Sequence, residues 1–210
     1  MKPALITHDI SARHDVPAGH PERPERYEAI LDHIGDNYQS WQRAAAPLAE
    51  RSQLELVHSE SYLDMVFDVT GDADEPAPLD ADTWASKRGY ECASRAAGGA
   101  CLAVDMVMEN KASTAFSLMR PPGHHAEPEQ AMGFCLFSSA AIAARHAQQK
   151  WGLNRIAVID FDVHHGNGTQ SCFWNDGSLF YASSHQMPLF PGTGAHDETG
   201  AYQNIFNLPL

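Results

Sequence analysis

The run I-A-V-I-D-F-D-V-H-H-G-N-G, Ile156 to Gly168, passes from four consecutive apolar residues straight into a dense polar cluster. A short apolar run of this kind reads as a central strand buried on both faces of a parallel sheet. The flanking segments agree. Upstream, Ser139 to Trp151 has helical spacing and is closed by Gly152, and downstream Leu179 to Ser183 is again strand-like. Earlier still, Thr114 to Leu118 reads as a strand that follows a helix from Tyr90 to Met108. There Ala93, Ala97, Ala100, Cys101, Val104 and Val107 recur at helical spacing, and Gly98 and Gly99 permit close packing on a sheet. Strand and helix in alternation imply an α/β fold, with a mostly parallel sheet flanked by helices on both faces.

Toward the N-terminus, Ala4 to Thr7 reads as a short buried strand and Asp9 to Pro24 as a turn-rich segment. Tyr27, Ile30, Leu31 and Ile34 then mark an amphipathic helix that Gly35 is expected to stop. Ser59 is placed to cap a second helix with Tyr62, Leu63, Val66 and Phe67 facing inward. Gly71 to Asp82, with Asp72, Asp74, Glu75, Pro76, Pro78 and Asp80, reads as a mobile acidic loop. No repeat, low-complexity tract or interdomain linker interrupts the chain.

Composition narrows the range of functions. The 210 residues, 43% of them hydrophobic, suit one globular domain or most of one. A net charge of -13 argues against nucleic acid as a direct partner, whereas a cationic ligand such as an acyl-lysine peptide or a polyamine would meet no repulsion. Most acidic surfaces are simply solvated, so the charge excludes more than it identifies. Cys92, Cys101, Cys135 and Cys172 form no C-x-x-C pair, which points to free thiols in a reducing cytoplasm. The N-terminal apolar run meets His8 and Asp9 too soon for a signal peptide, and no stretch approaches the roughly 18 apolar residues of a membrane span. The expectation is a soluble, cytoplasmic protein with no membrane partner, for which the sequence leaves room for a homo-oligomer.

Functional groups of an open parallel sheet gather beyond the carboxyl ends of its strands. Two clusters fall there: Arg120-Pro121-Pro122-Gly123-His124-His125 and Asp160-Phe161-Asp162-Val163-His164-His165. If the chain stays extended past Ile159, Asp160, Asp162 and His164 alternate onto one side, and a divalent cation would offset the cost of burying them together. An oxygen and nitrogen donor set suits zinc, with iron or manganese also open. The plain alternative has Asp160 and Asp162 capping the next turn while His164 bonds a carbonyl. The adjacent His124 and His125 could serve as acid and base near a metal, although such pairs are more often packing or surface residues.

R-P-P-G-H-H-A (Arg120 to Ala126), M-G-F-C (Met132 to Cys135), I-D-F-D-V-H-H-G-N-G-T-Q (Ile159 to Gln170) and F-P-G-T-G (Phe190 to Gly194) resemble, in order, the signature segments of the histone deacetylase and acetylpolyamine amidohydrolase superfamily. Gly19 to Pro24 and Val57 to Ser59 resemble its N-terminal landmarks, so the likeness runs through nearly the whole chain. The I-D-F-D-V-H-H wording and Asn167 are similar to the class II and bacterial branch. The resemblance implies an arginase-deacetylase-like fold and a zinc-dependent removal of acetyl groups from lysine side chains or polyamine-type amines. It implies Asp162 and His164 as two of three zinc ligands, His125 as general base oriented by Asn167, and His124 as electrostatic partner held by Asp160. Gly133, Phe134 and Phe190 resemble the walls of the acyl-chain channel. Two structural potassium sites are implied as well, one at Asp160, Asp162, His164, Ser183 and Ser184, the other at carbonyls near Phe173, Asp176 and Leu179.

The family's third zinc ligand, an aspartate, and its oxyanion-stabilising tyrosine lie downstream of F-P-G-T-G, and Asn204 to Leu210 resembles the strand just before them. Residues 1–210 therefore read as the N-terminal part of a single deacetylase domain, truncated at its C-terminal end. Two other functions fit less of the sequence: a non-catalytic acyl-lysine binder or scaffold, and an arginase-like binuclear manganese hydrolase, which needs more carboxylates near His164-His165-Gly166-Asn167.

Overall fold

The computed structural model describes residues 1–71 and 75–210. Its elements in chain order are β1 (Ala4–Thr7), α1 (Pro24–Asn37), β2 (Gln42–Ala45), α2 (Arg51–Leu54), α3 (Glu60–Gly71), β3 (Ala77–Pro78), β4 (Trp84–Ala85), α4 (Gly89–Met108), β5 (Ala115–Ser117), α5 (Ser139–Trp151), β6 (Ile156–Asp160), α6 (Asn167–Phe173), β7 (Leu179–His185) and β8 (Ile205–Pro209). Pairing is parallel in two three-stranded sheets, ordered β2-β1-β5 and β6-β7-β8, and antiparallel in the short β3-β4 hairpin. None of the described helices is long and apolar enough to cross a membrane.

The first sheet is covered on both faces. Leu5 of β1 packs with Tyr27 and Ile34 of α1, while Ala4 and Ile6 pack with Met106 of α4. Pro24 opens α1 at its first turn, where the missing N–H costs nothing. The helix continues through Gly35 to Asn37, because a glycine in a last turn with helical φ does not stop it, and Ile30 faces solvent. Ser59 Oγ accepts the Tyr62 N–H at 3.3 Å and caps α3, but Phe67 is 58% exposed and only leans edge-on against Tyr90. In α4 the two glycines are a steric need: a Cβ at Gly98 would lie 2.2 Å from the Pro47 carbonyl oxygen.

The second sheet differs from the sequence expectation. α5, ended by Gly152 in the left-handed region at φ 65°, packs with α6 on one face, burying Ala141, Ala144, Phe173, Leu179, Tyr181 and Ile205. The register aligns Ala157 and Ile159 of β6 with Phe180 and Ala182 of β7, then Ala182 and Ser184 with Phe206 and Leu208 of β8. Among the described residues no helix covers that face: Ile159 is 63% exposed, and Phe180, Phe206 and Leu208 are exposed too. β6 is thus an edge strand with one open face, not a central strand buried on both. The region read as an acidic loop holds β3, which pairs with β4 just beyond it; Asp72 and Asp74 lie outside the described residues.

Candidate active site

A buried ion pair fixes the loop that leaves β5. Arg120 reaches Glu22 through two parallel hydrogen bonds of 2.6 and 2.7 Å, with both side chains nearly inaccessible. The same guanidinium donates to the carbonyls of Ser11 and His14, so the charge and its donors are satisfied together. His14, beside them, is pushed down to about 4 by burial. This anchor carries His124 and His125 to the end of β6.

There each histidine finds its own partner. His124 Nδ1 lies 2.9 Å from Asp160 Oδ2, and His125 Nδ1 lies 2.9 Å from Asn167 Oδ1. An amide oxygen only accepts, so Nδ1 of His125 carries the proton and Nε2 is left with its lone pair. Burial, and secondarily the neighbouring His124, push His125 down to about 4, keeping it neutral. The Asp160 carboxyl is raised by burial, but the hydrogen bond and charge of His124, the Asp162 N–H and the Tyr181 hydroxyl outweigh that and hold it below the usual carboxylate range. Gly133 makes room for this pair, since a Cβ there would sit 2.3 Å from Cδ2 of His125.

β6 ends at Asp160, and the chain bends rather than continuing extended. Asp160 therefore turns to His124 while Asp162 and His164 turn to each other, with Asp162 Oδ1 3.2 Å from His164 Nδ1. The carboxylates also cap the bend, Asp160 accepting from the Asp162 N–H and Asp162 from the His164 N–H. The capping expected of the two carboxylates is thus present, while His164 faces Asp162 and not a carbonyl. A carboxylate oxygen and an imidazole nitrogen fit a zinc ion in chemistry and in spacing: two donors each ~2.0–2.1 Å from a tetrahedral ion are about 3.4 Å apart. The described residues contain no group of three or more His, Cys, Asp or Glu side chains disposed to hold one metal ion. The fit is therefore that of two donors.

A cleft of about 370 Å³ joins these groups, lined by His124, His125, Asp162 and His164 at its base and by Gly133, Phe134 and Phe190 on its walls. Phe190 stands edge-on to His125 at 5.0 Å, and Phe134 meets His20 at 4.9 Å. Pro21, Arg26 and Asp82 also line it, and sequence reasoning did not select them. Asp82 had no distinguishing signal within its acidic surroundings, whereas Glu22 and Arg120 lie inside the quoted motifs. Glu198 was missed as well. Its carboxylate accepts the Gly194 and Ala195 N–H groups and the Gln170 amide, clamping the loop that carries Phe190.

The residues read as potassium ligands divide. The carbonyls of Phe173, Asp176 and Leu179 do converge, but on the Asn204 amide nitrogen, at 2.9, 3.1 and 2.9 Å. Ser183 is paired in register with Asp160, and its hydroxyl bonds His185 Nδ1; Ser184 is paired in register with Leu208 of β8.

The histone deacetylase domain family matches residues 20–210. A probable deacetylase of Methanothermobacter thermautotrophicus is 41% identical over 87% of this chain and 55% of its own length. The polyamine deacetylase HDAC10 of Homo sapiens is 40% identical over 89% of this chain and 29% of its own. The crystal structure of the HDA15 HD domain superposes with a TM-score of 0.92 at 32% identity, covering 99% of this chain and 61% of that one.

Proposed function

The chain belongs to the histone deacetylase family, and on that premise we propose that the complete protein is a zinc-dependent amidohydrolase acting on acetylated lysine side chains or acetylated polyamines. The observation that carries this reading is the meeting, at one cleft, of a neutral, oriented imidazole with an aspartate-histidine donor pair. Asp162 and His164 would hold the zinc, with a further donor from outside this chain. When bound, zinc polarises the acyl oxygen and lowers the pKa of water to ~7.

The chain's own residues do the rest. Nε2 of His125 takes the proton from the attacking water, a task its neutral state and fixed tautomer suit. His124, backed by Asp160, supplies positive character beside the developing charge. Phe134 and Phe190 exclude water and admit a thin aliphatic chain bearing the acyl group. Potassium at the two carbonyl-rich turns is part of the same proposal, and there the Asn204 amide would have to turn away. A cytoplasmic location is supported by four unpaired cysteines. The manganese alternative is weakened because both Asp160 oxygens are already engaged, by His124, Tyr181 and the Asp162 N–H.

The test is acetate release from an acetyl-lysine peptide and from an N-acetylpolyamine by the full-length protein, with metal content measured alongside. Release that requires zinc is expected. A zinc-loaded protein that binds the acetylated ligand but releases no acetate would replace the enzyme with a binder.

A further inference from the structure

The hydrogen-bond chain behind His125 does not stop at Asn167. Asn167 Nδ2 donates to Glu127 Oε1 at 2.8 Å, while its Oδ1 faces His125 Nδ1 at 2.9 Å. An asparagine amide can be turned over, exchanging its oxygen and nitrogen at little steric cost, and the two orientations dictate opposite tautomers of the imidazole it faces. A carboxylate only accepts, so it admits just one of them: the amide nitrogen toward Glu127 and the oxygen toward His125. The remaining contacts of Nδ2, to Met132 Sδ at 3.3 Å and the His125 carbonyl at 3.5 Å, are longer and weaker.

We propose that Glu127 is a positioning residue which, by fixing the sense of the Asn167 amide, sets the Nδ1–H tautomer of His125 and so keeps Nε2 free to accept a proton. The consequence for rate rests on His125 being the general base; the consequence for tautomer does not. Glu127 is half-buried and lines, with Asn167 and Gln170, a separate cavity of about 320 Å³, and it is not among the residues that line the cleft.

The experiment is long-range 1H–15N correlation at neutral pH on full-length protein labelled with 15N-histidine, the His125 signal being assigned by its loss in His125→Gln. Wild type should show the Nδ1–H form alone. Glu127→Gln, whose amide can donate to Asn167 Oδ1 and allow the turned state, should show both tautomers and a kcat about 10-fold lower, at the mild end of what an orienting partner contributes, with KM unchanged. Asn167→Asp removes the ambiguity but sets a second carboxylate against Glu127, so it should lower kcat by itself. In that background Glu127→Gln should raise kcat, because Gln now donates to the new aspartate. A role in packing alone would not reverse sign between backgrounds. Glu127→Gln with an unchanged tautomer, or with the same sign in both backgrounds, would overturn the proposal. Loss of the pure tautomer in a protein that releases no acetate would uphold Glu127 and remove the hydrolase reading instead.

Discussion

In the β2-β1-β5 sheet Leu5 meets α1 on one face and Ile6 meets α4 on the other. In the β6-β7-β8 sheet Tyr181 and Ile205 meet α5 and α6, while Phe180, Phe206 and Leu208 meet solvent and, among the described residues, no strand pairs with the outer edge of β6. Both sheets are parallel, and parallel sheets are ordinarily covered on both sides. The difference separates two tasks: the first sheet supplies stability and the anchor for His124 and His125, and the second supplies their partners and the donor pair. This chain spans 55% of the length of one relative and 61% of the superposed domain.

The sharpest break of that division is Asp162→Ala in the full-length protein. We expect zinc content to fall to a small fraction of one per chain, since a lost charged ligand leaves too few donors. Folding should be unaffected, because the Asp162 side chain is half exposed. Wild-type zinc content would take this residue out of the site. Next in size, Leu5→Ala in the first sheet should cost about 2–5 kcal/mol in urea unfolding of the 210-residue chain. Phe161→Ala at the edge of the second, where the residue is 87% exposed, should cost under ~0.5 kcal/mol. Equal costs would abolish the contrast.

His125→Ala should keep zinc and lose at least ~100-fold in deacetylation rate, about 2.7 kcal/mol of barrier. A change of a few-fold would move the proton transfer to His124. A smaller and graded effect comes from His58, enclosed between Tyr62 and Phe137. Its Nδ1 faces the Pro128 carbonyl and its Nε2 accepts the Ser138 N–H, so only the neutral ring satisfies both. Burial pushes it down to about 4. The unfolded chain takes up a proton near pH ~6.5 that the folded chain refuses until about 4. Stability is therefore full above that window and falls as pH drops through it, by up to roughly 3 kcal/mol. His58→Gln should remove one proton from the slope of stability against pH. Last, Phe161→Glu with Phe206→Glu should shift the 210-residue chain toward monomer in sizing chromatography, as expected if the exposed apolar face drives self-association.

Sequence periodicity located α4, α5 and β7 because their signals are strong and local: small residues at helical spacing, Gly152 as a stop, β-region residues between turns. β2 was invisible, since Gln42-Arg43-Ala44-Ala45 has no apolar alternation and owes its strand to pairing with β1. β6 was misjudged for a related reason: four apolar residues in a row record how a strand is meant to be covered, and coverage depends on segments far away. The candidate site was legible where motifs are contiguous, as for His124, His125, Asp162 and His164, which line one cleft. Glu127 and Glu198 act across 40 and 28 residues of chain, a relation no local spacing reveals.

The two histidines and their partners are also separated in time. His124 precedes Asp160 by 36 residues and His125 precedes Asn167 by 42. At ~5–20 residues per second of synthesis the imidazoles emerge about 2–8 s before anything can orient them. During that interval both members of the Arg120–Glu22 pair are already made and available to hold their loop against the first sheet. A nascent chain paused there would carry a correctly anchored histidine pair with no defined tautomer.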